Sequence, residues 1–128
     1  MHSTNESRCF CESGKEYQHC CQVFIESKEL PATAEQLMRS RYTAYVLVKA
    51  TYLVETTHPK VRHMHSKKAI TQWAKENKWT GLEVIKSDAS TVEFKAYFID
   101  SEQEAHCHYE YSTFEKLGEK WYYVSGTY

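Results

Sequence analysis

Glycine and proline are scarce in this 128-residue chain, which has four and two of them respectively. No glycine-rich run follows a strand-like segment, so there is no phosphate-cradling loop and no case for a nucleotide-binding α/β fold. Nothing approaches the ~18 consecutive apolar residues of a membrane-spanning helix. The opening stretch, Met1-His2-Ser3-Thr4-Asn5-Glu6-Ser7-Arg8, has no apolar h-region of a secretory signal, and the expectation is a cytoplasmic protein. Repeats and low-complexity tracts are absent. So is an excess of one charge: the formal net charge is -1. Its distribution is uneven, with residues 1–34 at -2, residues 35–80 at +6 and residues 81–128 at -5. An acidic N-terminal segment is a poor grip for phosphates, so a nucleic-acid partner is not expected.

What the chain does have is four cysteines in thirteen residues, Cys9-Phe10-Cys11 and then Cys20-Cys21. Two closely spaced ligand pairs joined by a short loop suit a tetrahedral metal, and Ser13-Gly14 gives the loop a residue that tolerates positive φ. Four thiolates around one zinc ion make a closed structural site with no place for substrate. Disulfides are the rival reading. A reducing compartment opposes them, and adjacent Cys20 and Cys21 could bridge each other only with strain. His19 is an alternative fourth ligand, but four sulfurs are the plainer set. Cys107, alone in a strand-like run, reads as a half-buried small hydrophobe.

The remaining pattern is helical first and alternating afterwards. Thr33 followed by Gln36 fits a capping box, with Leu37, Arg41, Ala44 and Val48 on one face and Met38, Tyr42 and Tyr45 on a neighbouring one. A shorter helix is predicted over 50–57, ending before His58-Pro59. Ser66 can cap a third, carrying Ile70, Trp73, Ala74 and Asn77 at helical spacing. After Trp79 the period becomes two: Leu82 and Val84, then Val92, Phe94, Ala96 and Phe98, then residues 104–116 and Lys120–Val124. Helices followed by an antiparallel meander predict an α+β domain, helices packed on one face of the sheet.

Two sets of residues resemble known families. Cys-x-Cys-x8-Cys-Cys, with Ser13-Gly14 and Tyr17 inside the loop, is similar to the SEC-C motif at the C-terminus of the SecA translocation ATPase. Leu37-Met38-Arg39-Ser40-Arg41-Tyr42-Thr43-Ala44-Tyr45, Tyr52-Leu53, His58-Pro59, Glu110-x-Ser112-x-Phe114 and Trp121-Tyr122-Tyr123-Val124 resemble the bacterial YchJ-like family across nearly the whole chain. The resemblance implies a SEC-C zinc knuckle and linker over residues 1–30. It implies a nuclear-transport-factor-two-like domain over 31–128, with a curved antiparallel sheet and its helices forming a cone around a pocket. It carries no reaction with it. The family's usual Cys-Pro-Cys-Gly-Ser-Gly reads Cys9-Phe10-Cys11-Glu12-Ser13-Gly14 here, which implies a less rigid knuckle with its ligands intact. Relatives with a second SEC-C motif carry it after the terminal aromatic strand, and Tyr128 is reached here without one.

The pocket lining follows from strand parity. His106, His108, Glu110, Ser112 and Phe114 share one face of their strand; Cys107, Tyr109, Tyr111 and Thr113 share the other. Both faces are mixed, and the family-like Glu-x-Ser-x-Phe pattern favours the first as the inner one. Arg41 and Tyr45 are the expected partners across the cone. A buried Glu110 needs a donor, from Arg41 or a tyrosine hydroxyl, or its pKa rises. Two functions follow, the adaptor being the expected one and the pocket its alternative. In the first, the zinc knuckle is an adaptor surface for a protein partner, with an apolar rim at Phe10, Val23 and Phe24. In the second, the cone binds or transforms a small molecule in isomerase or dehydratase fashion, with Glu110 or His108 as acid or base and Arg41 as anion anchor. A homodimer through the open face of the sheet suits either. The basic segment Lys60–Lys68 reads as a solvated loop, and His58, His63 and His65 as a weaker second metal set.

Overall fold

The computed structural model describes residues 8–128. Helices come first: α1 (Cys21–Ile25), α2 (Ala34–Val46), α3 (Ala50–Glu55) and α4 (Lys67–Glu76). Four strands follow, β1 (Lys78–Ser87), β2 (Thr91–Ile99), β3 (Ala105–Leu117) and β4 (Lys120–Thr127), paired antiparallel in sequence order. This is the α+β arrangement expected, four helices and a meander sheet forming a nuclear-transport-factor-two-like cone.

The polar side chains at the helix starts explain where they begin. Thr33 Oγ1 accepts from the Gln36 N–H at 3.1 Å, and Gln36 Oε1 accepts from the Ala32 N–H at 2.7 Å. The second bond reaches one residue upstream of a standard capping box, satisfying a different orphan donor. Ser66 Oγ likewise accepts from the Ala69 N–H at 3.2 Å and starts α4.

The ends differ from expectation in two places. Val48 does not share the α2 face with Leu37, Arg41 and Ala44. It lies past the helix at φ 57°, where the Lys49 N–H closes back on Ala44 O at 2.7 Å. α3 stops at Glu55, two residues short of the predicted end, because residues 56–58 peel away to pair with β4. The Tyr123 N–H donates to Thr56 O and the His58 N–H to Tyr123 O, both at 2.8 Å. Two arginines serve the carbonyls left behind. Arg41 Nη1 donates to Leu53 O at 2.9 Å, and Arg62 Nη2 to Glu55 O at 3.2 Å and Thr57 O at 3.0 Å. Arg62 is thus a structural cap, whereas Lys60, Lys67 and Lys68 of the same segment face solvent.

The core lies between α2 and the inner face of the sheet. Leu37, Met38 and Tyr42 meet Leu82, Val92, Ala96 and Phe114 there, in one cluster that also takes in Cys9, Cys11 and Cys21. A second cluster joins Ala44, Tyr52 and Leu53, with Phe24 and Ile25 of α1 packed against it. The cysteine loop is therefore docked on α2 through both its sulfurs and its short helix. Cys107, on the outer face of β3, is exposed and not half-buried as expected.

Candidate functional site

The loop before α1 folds its four cysteines onto one point. Their Sγ atoms all lie within 4.8 Å of one another, with 3.6 Å between Cys11 and Cys20 and 4.0 Å between Cys20 and Cys21. Four sulfurs at zinc's bonding distance of about 2.3 Å, set tetrahedrally, stand about 3.8 Å apart, so the set fits a metal ion. No disulfide forms among the described residues. His19 turns away; its side chain is 73% exposed and pairs with Glu16 at 3.6 Å.

Crowding drives the thiols apart electrostatically. The S–H donors of Cys11 and Cys21 hold the Cys9 thiol well below its usual range, while Cys11, Cys9 and burial push Cys21 far above it. A divalent cation removes that conflict, since thiolate is the ligating form. Thr43 of α2, fully buried, donates from Oγ1 to Cys21 Sγ at 3.3 Å and lies 3.6 Å from Cys9 Sγ. Arg39 Nη1 donates to Cys11 O at 2.6 Å.

Glu12 shows how the missing family glycine is accommodated. Its backbone takes φ 63°, the conformation glycine adopts freely. Its carboxylate Oε2 then accepts from the Leu82 N–H of β1 at 2.7 Å. Gly81 keeps the approach open, because a Cβ there would stand 3.0 Å from that oxygen. Where a looser knuckle was implied, a side chain ties it to the sheet.

The second site is the cavity of the cone, about 320 Å³ in volume. Register places its polar members on one face: Glu110 pairs with Phe94, His108 with Ala96 and Ser112 with Val92. The structure brings Arg41, Tyr45, His108, Glu110 and Ser112 together in its lining, with Tyr42 and Trp73 on the helix side and Trp79, Phe94, Phe114 and Tyr123 on the sheet side. Glu110 is 8% exposed. Its Oε1 lies 2.9 Å from His108 Nε2, and its Oε2 accepts from Ser112 Oγ at 2.5 Å and from the Tyr123 hydroxyl at 3.0 Å. Burial is the largest single influence and pushes the carboxyl up, but the three hydrogen bonds together outweigh it and leave Glu110 below its ordinary value. A tyrosine hydroxyl therefore is one of its donors, and Arg41 is not.

Arg41, itself 8% exposed, has other duties. Besides Leu53 O, its Nη1 donates to Thr56 Oγ1 at 2.7 Å, and the guanidinium stacks 4.6 Å above the Tyr123 ring. No carboxylate among the described residues pairs with it. His65 borders the same cavity and is held below its ordinary pKa, by burial first and then by the Arg41 charge. Against an ionised Glu110, Nε2 of His108 is the donor.

Sequence reasoning missed Tyr123, Gly126, Trp73 and Trp79 as members of this site. Gly126 pairs with Ser112, and a Cβ on it would meet the Glu110 Cγ at 2.8 Å. An isolated glycine inside a strand marks such a close approach, and that signal was available. His58, His63 and His65 are not brought together. His58 is buried against β4, its Nδ1 accepting from the Lys60 N–H at 3.1 Å and its Nε2 3.2 Å from Glu115 Oε1, out of line for a hydrogen bond. Asp100, Glu104 and His106 do converge, at the exposed β2–β3 turn.

Known proteins share both parts. The family model described as YchJ, middle NTF2-like domain, matches residues 33–126. A UPF0225 protein of Haemophilus influenzae (strain PittEE) is 44% identical over 124 residues, covering 93% of this chain and 77% of the relative. The solution structure of a SEC-C motif containing protein from Rhodopseudomonas palustris superposes with a TM-score of 0.86 at 36% identity, covering 93% of this chain and 96% of that one. A crystal structure of a SEC-C motif containing protein from Psychrobacter arcticus gives 0.74 at 35% identity, with 93% and 80% covered. Among the described residues, no helix is long and apolar enough to cross a membrane.

Proposed function

This chain belongs to the YchJ-like family with its SEC-C motif, and on that premise we propose that it is a zinc-stabilised small-molecule-binding protein of the bacterial cytoplasm. The cone cavity is the binding site, and the cysteine knuckle anchors the helix that carries one wall of it. One observation supports this above all. The cavity gathers a buried arginine with no carboxylate partner among the described residues, a hydrogen-bonded His108–Glu110 pair and aromatic walls in about 320 Å³. Space of that size, mostly apolar with a few converging polar groups, is what small-molecule sites are made of. Zinc is the assignment for the knuckle because a closed set of four thiolates at tetrahedral spacing suits a redox-inert, borderline-soft ion.

A fragment screen by ligand-observed NMR tests the cavity. Bound fragments should lose their saturation transfer in an Ala96→Phe variant, whose added ring fills the space beside His108. Hits indifferent to that change would sink the reading. Native mass spectrometry in reducing buffer tests the metal, with one zinc ion per chain expected and a bare chain the contrary result. The adaptor reading retains one specific support, Phe10, which stands 46% exposed between two of the ligating cysteines. A protein partner met there should be lost with Phe10→Ser while fragment binding is kept.

A further inference from the structure

Arg41 decides the chemistry of what the cavity takes. A charge removed from water must be compensated, and an uncompensated buried cation is strongly unfavourable. Glu110 in the same cavity has its compensation already, from His108, Ser112 and Tyr123. Arg41 does not. Only Nη1 is committed, to Leu53 O, Thr56 Oγ1 and, at 3.5 Å, Thr57 Oγ1. Among the described residues Nε and Nη2 have no protein acceptor, and the residue lines the cavity. The two charges are also kept apart: the guanidinium lies over the Tyr123 ring face, whereas the Glu110 carboxylate sits at the hydroxyl of the same ring.

The walls set the shape. Trp79 meets Tyr45 at 5.7 Å, Trp73 at 6.0 Å and Tyr42 at 6.2 Å between ring centroids, an edge-and-face cluster along one side of the cavity. Phe94 and Phe114, from the strands next to that of Trp79, line the same cavity. Aromatic sides at the small end of the usual range of pocket volumes suit a flat single ring better than a bulky or branched body. A guanidinium edge open to the cavity, beside a carboxylate whose oxygens are already partnered, disfavours an amine and favours an acid.

We propose that the cone cavity binds small aromatic carboxylates, the acid group on Nε and Nη2 of Arg41 and the ring against the aromatic side chains that line the cavity, Trp73, Trp79, Tyr45 and Phe94 among them. This rests on the small-molecule reading above and narrows it to one class. The guanidinium fork is built for the planar, two-point grip of a carboxylate. An amide of the same shape offers one acceptor and turns an N–H towards the cation, so the discrimination is electrostatic and not steric.

Trp73 and Trp79 make the test direct, since a ring entering the cavity changes their fluorescence. The wild-type protein, zinc-loaded, is titrated with benzoate, benzamide and benzylamine at pH 7. Benzoate should saturate at least tenfold more tightly than benzamide, and benzylamine should not bind. Arg41→Lys should erase most of the acid-over-amide preference, with far-UV circular dichroism checking that the variant folds. Should it fail to fold, the wild-type ratio alone still decides. Benzamide binding as tightly as benzoate, or benzylamine binding better, would overturn the acid class while leaving the cavity a binding site. No response to any of the three rings would overturn the class and the small-molecule reading together.

Discussion

Gly126 and Glu110 behave as one unit. The carboxylate can lie across β4 only because position 126 has no Cβ, so Gly126→Ala should force Glu110 off Tyr123 and cost about 1–3 kcal/mol through the hydrogen bonds lost from a buried charge. Urea denaturation would measure it, and an effect under a few tenths would contradict the packing described. Glu110 also has a pH signature. Its folded pKa is depressed below the ordinary value of 4.5, so its contribution is complete above that value and is lost as pH falls through the lower folded one. Glu110→Gln should therefore be less stable at pH 7 and show a shallower loss between pH 5 and 3. At the other site, Thr43→Val removes a hydroxyl that donates to Cys21, and the affinity of the knuckle for its proposed metal in a chelator competition should fall by about tenfold. Of these residues the sequence exposed the cysteines by spacing and the Glu110 face by parity plus family pattern. Thr43 carried no signal, because a threonine in mid-helix reads as surface or core equally well.

Helices and strands were legible where local chemistry decides them and misread where a partner does. Thr33 and Ser66 cap as their types predict; Thr33→Ala should cost about 1 kcal/mol in thermal unfolding. Val48 is the opposite case. A β-branched residue at φ 57° is strained, which no local rule anticipates, because the turn is imposed by α3 packing back against α2. Val48→Gly should raise stability by about 0.5–1 kcal/mol, against the usual sign for glycine next to a helix, and a loss of that size would show the turn to be relaxed. The early end of α3 has the same origin in a partner, the pairing with Tyr123. Tyr123 itself escaped notice because the register shift between Thr113 and Phe114 breaks the parity that would have carried the pattern across to β4.

At the scale of the molecule, α2 is the link between the two sites. Arg39 and Thr43 face the knuckle, and Met38, Arg41, Tyr42 and Tyr45 face the cavity. Stripping the metal proposed for the knuckle should lower the melting temperature by several degrees and weaken ligand binding together, since the anchor of one wall is lost. Equal affinity in the metal-free and loaded forms would show the cavity to be independent of the knuckle. The clasp from Glu12 to Leu82 has a different consequence. Residues 56–58 cover the outer side of β4, and Glu12 occupies the corresponding side of β1, the strand that also bears the exposed Ile85. An uncovered strand edge is a template for pairing with another chain. Loss of the proposed metal would thus open the sheet at one end, turning a metal deficit into self-association that light scattering can follow, and Glu12→Ala should show the same tendency with the metal still in place.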